Sequence, residues 1–86
     1  MKFNINRRYI EQLWEEQGGL CYYTGLPMTR TPDDRNNSVS LDRVDSTKGY
    51  VRGNIVLCRS AINFMKRHHG LNHFVELCKQ VAQNMT

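Results

Sequence analysis

Eighty-six residues make one domain with little interior, so a metal, a partner or tight helix packing is expected to assist the core. Twelve Lys and Arg against eight Asp and Glu give a net charge of +4, which suits a solvated basic face or a phosphate-facing one. No apolar run approaches the roughly 20 residues of a membrane span, and Cys21, Cys58 and Cys78 form neither an even set nor a C-x-x-C pair, so the chain is expected to be soluble, cytoplasmic and free of disulfides.

Asn6 is placed to cap a helix running to about Gln17. Tyr9, Ile10, Leu13 and Trp14 form its apolar stripe, and Gly18-Gly19 end it. Arg7 and Arg8 stand in the first turn, where the helix dipole disfavours positive charge. Leu20 to Met28 reads as a short extended piece and turn, and Thr29 to Asn37 as a surface loop rich in Pro, Asp and Asn. A β-rich run through Val39, Leu41 and Val44 then reaches the turn Ser46-Thr47-Lys48-Gly49. A second run through Ile55, Val56 and Leu57 follows, and Ser60 to Arg67 takes helical spacing. On that helix Arg59, Asn63, Lys66 and Arg67 share one side, while Cys58, Ile62, Met65 and His69 share an apolar side that is expected to pack. Asn72 can cap a last helix whose stripe of Phe74, Leu77, Cys78 and Val81 is expected to close the core over the hairpin, with Trp14 and Ile62. The expected class is α+β, a hairpin and helix centred on residues 38–67 and flanked by an N-terminal and a C-terminal helix within one domain, 1–86.

The order LDRVDSTKGYVRGN, NIVLCRSAIN and Lys66, preceded by CYYTGLPM, resembles the HNH endonucleases of ββα-metal fold, in particular small phage-type members. The resemblance covers roughly residues 20–67. It implies a metal-dependent endonuclease acting on double-stranded or branched DNA, possible as a homodimer and acting in the host cytoplasm if phage-encoded. By that resemblance Asp42 and Asn63 are the metal ligands, and Asp42, Arg43, Asp45 and Asn54 form the catalytic set, with Asn54 mainly fixing the loop of the first motif.

Phosphodiester hydrolysis needs a cation to neutralise developing charge and a group to orient or deprotonate water. A carboxylate and an amide oxygen suit one Mg²⁺ or Mn²⁺. The family's usual His after the first ligand is replaced by Arg43, whose guanidinium cannot accept a proton, leaving Asp45 or a metal-bound water for that task. Structural zinc is not expected, because Cys21-x-x-Thr24 and Cys58-x-x-Ala61 supply two of four thiolates; both cysteines read as buried apolar residues. Lys48, Arg52, Arg59, Lys66, Arg67 and His68 are the candidates for phosphate contact, since Arg43 to Arg67 holds six basic residues and one acid. Arg43 in place of a base also admits a catalytically inactive module of the same fold that binds nucleic acid or protein. A purely structural or inhibitory interaction protein is a third possibility.

Overall fold

A computed structural model describes residues 5–86, in the order α1 (Arg7–Gln17), β1 (Val39–Arg43), β2 (Ile55–Arg59), α2 (Ser60–Lys66) and α3 (Leu71–Met85). The class is α+β, as expected. Asn6 caps α1 by accepting the Tyr9 backbone N–H at 2.9 Å, and Gly18 closes it at φ 62°. Gly19 follows at φ 72°, and a Cβ there would stand 3.0 Å from the Trp14 ring, so both conformation and space require glycine.

β1 and β2 pair antiparallel, with Leu41 opposite Leu57 and Asp42 opposite Val56. The pleat sends alternate residues to opposite faces. Leu41, Ile55 and Leu57 point to one face, where Leu13, Ile10 and Trp14 of α1 complete the apolar cluster. Ser40, Asp42 and Cys58 point to the other, against α2. The outer edge of β2 is closed by a side chain: Gln17 Nε2 donates to Leu57 O at 2.9 Å while Gln17 Oε1 accepts the Leu57 N–H at 2.9 Å. Tyr22 adds a backbone N–H to the same carbonyl at 3.0 Å. A helix residue thus stands in for a third strand.

Two expectations about packing are corrected. The side of α2 turned to the hairpin includes its polar residues: Lys66 is fully buried, and Met65, expected inside, is 59% exposed, while Cys58 is buried and Ile62 packs against the core as expected. The strand face it meets is itself polar, so side chains that hydrogen-bond are the ones that fit. The core over the hairpin is closed by α1 and not by α3. Phe74 is the buried residue of α3, set edge-on to Tyr23, and Val75, Val81 and Met85 remain exposed. Asn72 lies inside α3 and Gly70 holds the cap position. No helix among the described residues is long and apolar enough to cross a membrane.

Candidate functional site

Ser38, just before β1, and Ser40 and Asp42 within it, two residues apart, meet three side chains of α2, three residues apart. Ser38 and Ser60 share a hydroxyl contact at 2.6 Å, and Ser60 Oγ also donates to Ser38 O at 2.7 Å. Asn63 Nδ2 donates to Ser40 Oγ at 2.6 Å and to Leu41 O at 3.1 Å. Lys66 Nζ lies 3.1 Å from Asp42 Oδ2 and 3.4 Å from Oδ1, and donates to Arg43 O at 3.2 Å. The strand's period of two and the helix's turn of 3.6 residues keep all three pairs in step over this short contact.

The last pair is the deepest. Its side chains are 0% and 5% exposed, and the Tyr23 hydroxyl also donates to Asp42 Oδ2. Burial, and then the hydrogen bond to Asp42, raise the Tyr23 pKa well above its ordinary value. Burial, with the Asp42 charge adding to it, also pushes the Cys58 thiol up to about 12. Asp42 and Asn63 do stand on facing surfaces. The Asp42 carboxylate is otherwise engaged, however, since Tyr23 and Lys66 hold it, while Asn63 is turned so that its amide nitrogen donates to β1. Mg²⁺ keeps several of its own waters, and a carboxylate so enclosed does not present itself to a hydrated ion. With Tyr23 and Lys66 on its carboxylate, Asp42 as arranged is not open to the metal that the resemblance implies.

The remaining members of the expected catalytic set shape the hairpin loop. Asn54 is buried, accepts the Asp45 N–H at 2.9 Å and donates to Asp45 O at 3.1 Å and Gly49 O at 3.0 Å, which pins the two ends of the loop together. Asp45 folds back on its own turn, accepting from the Thr47 hydroxyl at 2.6 Å and the Thr47 N–H at 2.9 Å. Those bonds hold its carboxyl below the usual range, which makes it a poorer proton acceptor. Arg43 donates to Lys48 O at 3.3 Å and stacks over Tyr50, 5.2 Å from the ring centre.

The basic candidates separate into groups. Ser46 Oγ donates to His68 O at 2.9 Å, so the hairpin loop with Lys48 lies against the α2–α3 turn with Arg67 and His68, and all three are exposed. Arg52 stacks over Tyr9 of α1, 4.8 Å from its ring centre. Arg59 is turned away, its Nε donating to Pro27 O at 2.9 Å. Lys66, expected at the phosphate surface, is a correction: with no exposed surface it cannot reach a phosphate. Arg30 is likewise committed, paired with Glu11 at 2.8 Å.

Cys21 and Cys58 are buried, as expected, and Cys21 Sγ accepts the Arg59 N–H at 3.4 Å. Burial opposes ionisation of Cys21, but hydrogen bonds from Thr24, Arg59 and Tyr23 outweigh it and lower its pKa. Tyr23 and Gln17 were not foreseen from the sequence. Nor was the pair of Lys66 with Asp42, although the spacing from Asn63 put Lys66 on the same side of the helix.

No family model and no solved structure matches the chain. It is 26% identical over 74 residues to an uncharacterized 29.0 kDa protein from the dda-modA intergenic region of Enterobacteria phage T4. The match takes in 86% of this chain and 28% of that protein, so the chain spans less than a third of its relative's length.

Proposed function

We propose that this chain is a nucleic-acid-binding domain on a ββα hairpin-and-helix scaffold, holding phosphate through Lys48, Arg67 and His68 without a metal ion. The observation that carries this reading is the Lys66–Asp42 pair, 3.1 Å apart and sealed from solvent, which commits the acidic residue that cleavage would need. The net charge of +4 and the bond from Ser46 to His68, which brings two basic segments to one end of the molecule, support the binding half. A similarity to a phage protein is in keeping with it.

Metal-dependent DNA cleavage is the second reading, favoured by the placement of Asp42 and Asn63 on facing surfaces of β1 and α2. It requires Lys66 to leave Asp42. Fluorescence anisotropy with labelled duplex and four-way-junction DNA, in EDTA and across a salt series, separates the two when paired with supercoiled plasmid in Mg²⁺ or Mn²⁺. Binding that persists in EDTA and weakens linearly in log salt, with the plasmid intact, is the expected result. Nicking that needs the metal and is lost in Asp42→Ala and Asn63→Ala would establish the second reading. Absence of binding at low salt, with the plasmid left intact in Mg²⁺ and Mn²⁺, removes both.

A further inference from the structure

The polar partners of Lys66 Nζ are all oxygens. Asp42 Oδ2 stands at 3.1 Å, Asp42 Oδ1 at 3.4 Å and Arg43 O at 3.2 Å, and the Tyr23 hydroxyl donates to the same Oδ2. One charged carboxylate and one carbonyl converging on a point is a donor set for a hard cation, and here the cation is an ammonium supplied by the chain. Lys66 comes from α2, while both acceptors come from the end of β1. The side chain therefore ties helix to strand where an ion bound by β1 and α2 would tie them. An unpaired buried carboxylate is costly, so some positive charge must sit there for the hairpin and α2 to stay docked.

We propose that Lys66 is a built-in counter-ion occupying a latent cation site, and that Asp42 with the Arg43 carbonyl takes a hard divalent ion only once the ammonium is removed. The structural work of a metal is then done covalently, and the native protein is indifferent to divalent ions. The proposal rests on the geometry around Nζ and not on the nucleic-acid-binding reading, and its test involves no nucleic acid.

The test compares thermal unfolding of wild type, Lys66→Ala, Lys66→Met and Asp42→Asn/Lys66→Ala in MnCl₂ or MgCl₂ against KCl of matched ionic strength. Lys66→Ala opens the space that the stem and ammonium fill, whereas Lys66→Met fills it with apolar atoms. Lys66→Ala is expected to gain on the order of 10 °C in Tm once the ion exceeds its dissociation constant about a hundredfold. Wild type, Lys66→Met and the double variant should gain nothing beyond the KCl control. If Lys66→Ala is unfolded without added ion, the same titration followed by circular dichroism reads recovery of helix, and recovery with Mn²⁺ but not K⁺ is the supporting result. A Lys66→Ala variant that ignores Mn²⁺ and Mg²⁺ overturns the proposal. So does a wild-type protein whose Tm rises with Mn²⁺ and whose Asp42→Asn variant does not, because the native ammonium would then not be the resident cation.

Discussion

An ammonium with no exposed surface is tolerable only where charge and acceptors surround it, and Lys66 has both in Asp42 and the Arg43 carbonyl. Removing one partner of such a pair leaves the other uncompensated. Lys66→Met is therefore expected to cost about 3–5 kcal/mol, and adding Asp42→Asn should restore part of that loss. Urea denaturation of the single and double variants measures both effects. The groups beside the pair give a second expectation. The Cys58 thiol is pushed up to about 12 by burial and the Asp42 charge, so below about pH 8.5 it is protonated folded or unfolded. Above that the unfolded chain gives up its proton first, and stability falls as pH rises from about 8.5 towards 12. Tyr23, raised in the same direction, adds to the loss above about pH 10, the ordinary tyrosine value. Urea midpoints between pH 7 and 11 should fall accordingly, and Cys58→Ala should flatten the slope in the lower part of that range.

At the scale of elements, α1 and the hairpin were legible because each carries its own local signals: a cap at Asn6, glycines at 18 and 19, and alternation ending at turn residues. What α2 and α3 pack against was not legible. Periodicity ranks the two sides of a helix by apolarity, and α2 turns its polar side inward because Ser38, at the entry to β1, and Ser40 and Asp42 on it face the helix. The stripe of α3 is as clear as that of α1, yet a stripe does not name its partner, and past Phe74 that of α3 has little covering it. Within the site, the helical spacing of Asn63 and Lys66 put them on one side of α2, but the same spacing was read as a phosphate-facing surface, and only the fold turns Lys66 onto Asp42. Tyr23, 19 residues upstream in a loop, has no sequence signal that joins it to Asp42. Two substitutions test the element contacts. Gln17→Ala leaves the Leu57 N–H without its acceptor, and Asn63→Ala removes both bonds to β1; each should cost about 1–3 kcal/mol in urea denaturation. Asn63→Ala should also leave the Tm of the protein as insensitive to Mg²⁺ as before.

For the whole molecule, the basic residues do different work according to where the fold sends them. Lys48 and Arg67 lie on two segments joined by the bond from Ser46 to His68, while Arg59 is spent on the Pro27 carbonyl. Lys48→Ala and Arg67→Ala are each expected to lower the slope of log affinity against log salt by about 1, without favouring any DNA sequence. Arg59→Ala should leave that slope unchanged, as anisotropy titrations over a salt series would show. The claim beneath all of this, that Asp42 already has its cation, is open to direct measurement by electron paramagnetic resonance during a Mn²⁺ titration of the wild-type protein. The free-ion signal should grow in proportion to added Mn²⁺, as it does with Asp42→Asn. A loss of signal equal to one ion per chain, abolished by Asp42→Asn, would contradict it.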